Sequence, residues 1–152
     1  MIDHASGGVS MKKLIGTSFG YAVAALAGGV FYREFTKLSG FSGQTSLGVV
    51  HTHLFVLGMV FFLLLALLND RLDLWGNRRF RLGFPLYNAG MIVAVGSLVA
   101  RGVVQVLGLA LSRAADASLS GVAGLGHILL GAGMVLFFVA MLQQASVRSA
   151  AK

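Results

Sequence analysis

Three histidines of this chain stand inside apolar segments: His51 and His53 in GVVHTHLFVLGMVFFLLLALL, and His127 in GVAGLGHILLGAGMVLFFVAML. An ionisable side chain at membrane depth is costly, and where one persists it usually has a function. Neutral imidazole also binds iron, copper and zinc well. His51, His127 and His53 are therefore candidate metal ligands. With no Cys in the chain, neither thiolate ligands nor disulfides are available. A zinc or copper site usually needs three or more protein ligands. His51 and His53 diverge too far around one helix to share an ion easily with His127. Haem needs only one or two axial ligands, an apolar slot and basic partners for its propionates. Arg101 and Arg33 suit the propionates, and Gln105 lies one turn above Arg101. Gly48, Gly58, Gly124 and Gly131, with Gly90, would open the slot. Phe55, Phe62 and Phe138 could pack on the macrocycle. No CxxCH occurs, so the expected cofactor is non-covalent haem b. No residue is expected to be catalytic in its own right.

The elements that must position these residues are membrane helices. Hydrophobic residues form 57% of the 152 and charged residues only 11%, against about 25% in soluble domains. Four apolar stretches reach the roughly 20 residues that span a bilayer. They are placed at Leu14–Phe35, Leu47–Leu68, Gly83–Gly108 and Gly121–Gln143. The fold expected is all-α, a four-transmembrane-helix bundle. Its divisions are a polar N-terminal extension at 1–11, the four-helix domain at 12–145 and a cytoplasmic tail at 146–152. The first apolar run is too long for a signal peptide and is read as a retained helix. His4, in the extension, is not expected to carry a role.

The net charge of +7 points to topology rather than to nucleic acid. Outside the four stretches, Lys12, Lys13, Arg71, Arg78, Arg79, Arg81, Arg148 and Lys152 fall on one side. Only Lys37 and Arg113 fall on the other. The positive-inside rule then predicts cytoplasmic termini and a cytoplasmic 69–82 loop, facing anionic headgroups. His51 and His127 would both lie roughly 6–9 Å below the opposite surface.

The two halves are weakly alike. Tyr21 and Tyr87 begin helices 1 and 3, and Arg33 and Arg101 lie toward their ends. Helices 2 and 4 carry HLFVLGMVFF and HILLGAGMVLFF, related by one inserted residue. Two repeated helical hairpins would give this pattern. The alignment pairs His53, not His51, with His127. Helical rotation favours the other choice. His51 shares a face with Gly48, Phe55, Gly58, Phe62, Ala66 and Asn69. His53 falls among Leu57, Val60, Leu64 and Leu67. In helix 3, Gly83, Tyr87, Gly90, Ala94, Ser97, Arg101 and Gln105 form one inward stripe. In helix 4, His127 is expected inward with Gly124, Gly131, Met134 and Phe138. Arg101 could instead pair with Glu34, and Gly28-Gly29 reads as a packing notch.

The segment VVHTHLFVLGMVFF resembles the second helix of subunit I in the haem-copper oxidase and nitric-oxide reductase superfamily. It also resembles the HxHL segment of membrane haem proteins of the nitric-oxide response. In the reductases a His-Thr-x-Leu segment supplies a low-spin haem b ligand, and His51 matches that His. The whole chain looks like a small four-helix bacterial membrane family with an HTHLF signature, of unknown function. This resemblance implies the bacterial cytoplasmic membrane. The likeness to the superfamily covers only 15–20 residues, and too few histidines and helices remain for its two-metal chemistry. The leading expectation is a b-type haem protein for electron transfer or for redox or gas sensing. Expected partners are the lipid bilayer, a second copy of the chain in a homodimer, and a quinone or respiratory redox protein. The alternatives are a small oligomeric transporter or channel subunit and an accessory subunit of a larger membrane complex.

Overall fold

The computed structural model describes residues 4–150, with side chains from 11 to 149. His4's side chain and residues 151–152 lie outside the described residues. Four long helices account for most of the chain: α1 (His4–Leu38), α2 (Leu47–Leu72), α3 (Arg78–Val106) and α4 (Arg113–Ala150). Each is long and apolar enough to cross a membrane. The bundle has a basic end, with Lys13, Arg71, Arg79 and Arg148, and a histidine end. Two helices run further than the sequence pattern suggested. α1 takes in residues 4–11 of the expected extension, and α4 starts at Arg113 and continues through 146–150. Apolar length marks only the part of a helix inside hydrocarbon, so polar turns beyond it go unseen.

The helices form two hairpins. α1 packs along α2, and α3 packs along α4. Without a solvent-driven hydrophobic effect between them, membrane helices associate by close backbone approach. Glycine supplies that approach here. A Cβ on Gly90 would lie 2.3 Å from Leu130 N, on Gly126 2.6 Å from Ala94 N, and on Gly133 2.7 Å from Tyr87 N. The hairpins meet at two levels. Near the basic end Phe61, Phe62, Phe80, Tyr87 and Phe137 stack into one aromatic cluster. At the histidine end Gly102 lets Leu47 against α3, where a Cβ would lie 2.6 Å from Leu47 N. Thr45 Oγ1 donates to the Gly102 carbonyl at 3.0 Å, and Gln105 Oε1 accepts from Ser46 N at 2.7 Å.

α2 is not α-helical throughout. Leu47–His53 and Phe61–Leu72 are α, whereas Leu54–Val60 is a π-helical segment. There the Phe61 N–H reaches the Val56 carbonyl, five residues back. A π-turn loosens the regular ladder and lets carbonyls take outside donors. Two hydroxyls exploit this: Tyr87 Oη donates to Leu57 O and Ser18 Oγ to Met59 O, both at 2.8 Å. In hydrocarbon those hydroxyls would otherwise lack partners. Apolar periodicity carried no sign of this segment.

Candidate functional site

The expected inward stripes of α2 and α3 hold for most of their length. Gly58, Phe62, Ala66 and Asn69 are buried on α2, as are Gly83, Tyr87, Gly90, Ala94 and Ser97 on α3. Towards the histidine end the buried face of α3 drifts to Gly102 and Val106. Gln105 is exposed and serves the N-terminus of α2.

α4 requires a correction. His127, Gly124, Gly131 and Phe138 are exposed, and nothing lies within 4 Å of a Cβ built on either glycine. The inward face is Gly126, Leu130, Gly133, Phe137 and Ala140. The reason is the backbone contact with α3. Gly126 and Gly133 sit seven apart, as do Gly83 and Gly90, and the two pairs interlock. Gly124 and Gly131 have the same spacing, and only the choice of stripe was wrong. The matched pairs on α3 were the signal that could have decided it.

The expected slot beside His51 is also filled. A Cβ on Gly58 would lie 2.5 Å from the Tyr21 ring, and one on Gly48 3.4 Å from the Tyr32 ring. These glycines admit helix 1's tyrosines, not a macrocycle. Phe55 is half-buried against the core, and Phe62 belongs to the aromatic cluster. Gly28 and Gly29 do form a packing notch, the first against Val50 and Leu54, the second against His51.

The three histidines differ in how their ring nitrogens are used. His51 is half-buried beside Gly29, and its Nδ1 is fully buried without a hydrogen-bond partner. His53 holds Nδ1 2.8 Å from the Val49 carbonyl, and His127 holds Nδ1 2.7 Å from the Ala123 carbonyl. A carbonyl only accepts, so Nδ1 carries the proton in both rings. In the neutral imidazole Nε2 then bears the lone pair. Neither Nε2 has a partner among the described residues.

α3 acts as a ruler for their depth. Gly102 faces Leu47 and Tyr87 reaches Leu57, while Ala94 faces Gly126 and Gly90 faces Leu130. His53 and His127 therefore lie within about one turn of each other in depth, near Val93–Ala94, which is midway along α3 and deeper than the 6–9 Å expected for His127. They are on different hairpins; His127 is exposed and His53 half-buried. A single chain does not bring His51 and His127 to one slot. Among the described residues no group of three or more His, Cys, Asp or Glu could hold a metal ion.

Arg101 is engaged, although not by Glu34. Its Nη1 lies 2.9 Å from Asp116 Oδ1, and its Nη2 donates to Ser120 Oγ at 2.8 Å. Asp116 was overlooked because the fourth helix was started after it. Arg33 is largely exposed, with the neighbouring Glu34 3.9 Å away.

A family model described as a protein of unknown function (DUF2871) matches residues 11–144. No curated protein and no solved structure matches the chain, and the comparisons show no likeness to haem-copper subunits.

Proposed function

The chain belongs to the DUF2871 family, and we propose that it is a b-type haem protein of a bacterial cytoplasmic membrane. The haem lies between two copies of the chain, for electron transfer or for sensing of redox state or a diatomic gas. His53 of one copy and His127 of the partner subunit would hold the haem. One observation carries this reading: both rings tie Nδ1–H to the carbonyl four residues back and turn a free Nε2 outward at one level. Metal-ligating histidines commonly hold the other ring nitrogen on a carbonyl or carboxylate in this way, which fixes the tautomer and the ring plane. A bare lone pair in hydrocarbon also calls for a partner.

Within one chain the residues do not fit haem. His51 lacks the Nδ1 hydrogen bond that would fix its ring, and Tyr21 and Tyr32 occupy the space beside Gly58 and Gly48. Between copies the fit is better. Gly124 and Gly131 flank His127 on an open face, which would admit a flat macrocycle. Arg33, largely free, suits a propionate, whereas Arg101 is committed to Asp116. Haem supplies a one-electron iron couple or, with one ligand lost, a gas-binding position. The chain's own residues orient the imidazoles and exclude water.

A C2 pair repeats each contact, so two copies make two equivalent sites. Pyridine haemochrome assay combined with native mass of the solubilised protein tests this. Two haems per dimer are expected. Haem on a monomer would overturn the shared site, and colourless protein from haem-supplied cells would overturn the haem.

A further inference from the structure

α1 and α3 touch only lightly, bridged by Tyr21 and Asn88. Between them runs a wide-mouthed groove of about 500 Å³, lined also by Leu54 of α2 and open to the lipid side. Its walls are apolar, from Ala24, Met91, Ile92 and Val95. Three polar residues interrupt them: Thr17, whose hydroxyl donates to the Lys13 carbonyl at 2.9 Å, and the pair Tyr21 and Asn88. Tyr21 Oη donates to Asn88 Oδ1 at 2.7 Å, and Asn88 Nδ2 donates to the Phe84 carbonyl at 2.7 Å. The Phe84 carbonyl fixes the amide's orientation, since only an N–H can face it. Nδ2 carries a second hydrogen, and it has no acceptor among the described residues. The Tyr21 ring is held in place by stacking on Phe62, with centroids 5.7 Å apart.

Depth selects the ligand. Tyr21 lies eight residues past Lys13, and Asn88 seven past Arg81. Both thus lie about 10–12 Å along their helices from the basic residues at that end. Ester carbonyls of phospholipids stay at the interface, and an acyl chain offers no acceptor at this depth. A donor here needs a lipid-soluble molecule that carries its acceptor on a ring. Convergent polar groups in an otherwise apolar cavity of this size are the usual form of a small-molecule site.

We propose that this cavity binds the ring of an isoprenoid quinone, one ring carbonyl accepting from Asn88 Nδ2 and the tail leaving through the open side. The site is distinct from the histidines and does not depend on haem being present. Only binding is proposed, with no electron transfer step.

The test is photolabelling of the full chain in nanodiscs with an azido-substituted benzoquinone of short tail, followed by peptide mapping. Label is expected on α1 and α3 around Tyr21 and Asn88, with excess unlabelled quinone displacing it. A Cβ at Gly96 has open space, so Gly96→Phe fills the cavity while leaving the helix contacts intact. That variant is expected to lose the label. The double variant Tyr21→Phe/Asn88→Leu removes the hydrogen-bonding pair together, so neither hydroxyl nor amide is left unpaired, and about a tenfold weaker competition is expected. Label spread evenly over exposed residues such as Val135 and Leu142, or label unaffected by Gly96→Phe, would overturn the proposal. So would a photoreactive acyl chain that occupies the cavity and resists displacement by quinone. Because the readout is independent of haem, a colourless but specifically labelled protein would sink only the haem reading.

Discussion

Tyr87 of α3 donates its hydroxyl to the Leu57 carbonyl of α2 across 2.8 Å, in the middle of the π-helical segment. This bond ties the 3–4 hairpin to the 1–2 hairpin just where α2 changes its helical register. Tyr87 is fully buried, and its ring also stacks on Phe61 at 4.9 Å. Tyr87→Phe keeps the ring and removes the donor. A loss of about 1–2 kcal/mol is expected, seen as a lower unfolding midpoint in detergent. An unchanged midpoint would mean that water or a relaxed ladder satisfies Leu57.

The glycines of α4 divide into two kinds. Gly126 has backbone 2.6 Å from a would-be Cβ, whereas Gly124 has nothing within 4 Å. Gly126→Leu is expected to break the α3–α4 contact and leave little folded protein. Gly124→Leu is expected to fold and instead to weaken association between copies, read by crosslinking in native membranes. Equal effects of the two substitutions on folding would contradict the assigned face of α4.

Much of this architecture could be read from residue order. The four spans follow from apolar length. The Gly28-Gly29 notch was legible because adjacent glycines on a membrane helix have few other uses. Two things were not legible. The π segment depends on Tyr87 and Ser18, distant residues that periodicity does not connect to α2. The face of α4 depends on which of two equally spaced glycine pairs meets α3. Choosing the pair on the side of His127 let an assumed site decide the packing. The face argument placed His51 toward helix 1, where its Nδ1 is buried beside Gly29, while the repeat aligned His53 with His127, which share one ring geometry.

Arg101 illustrates the same point for charge. Its guanidinium is bound to Asp116 and Ser120 at the start of α4, and both partners are partly exposed. Partly exposed pairs contribute about 0–1 kcal/mol. Arg101→Ala is expected to lower stability slightly and leave cofactor content unchanged. Loss of cofactor on this substitution would return Arg101 to the binding role first expected for it.

Orientation is open to a direct test. Lys13, Arg71, Arg78, Arg79, Arg81 and Arg148 gather at one end of the bundle, and the positive-inside rule predicts that this end faces the cytoplasm. Cysteines introduced at positions 41 and 116 are expected to label from outside intact cells. A cysteine at position 77 is expected to label only after permeabilisation. The reverse pattern would move the histidine end to the cytoplasmic side.

The central claim is that His53 and His127, and not His51, hold an iron. The direct measurement is the reduced-minus-oxidised absorbance spectrum of purified protein beside its His51→Ala, His53→Ala and His127→Ala variants, all from haem-supplied cells. The parent protein is expected to show the α and β bands of low-spin bis-histidine haem b. His53→Ala and His127→Ala are expected to lose haem or turn it high-spin, while His51→Ala keeps the parent spectrum. A colourless parent protein, or a spectrum abolished by His51→Ala alone, would contradict the account.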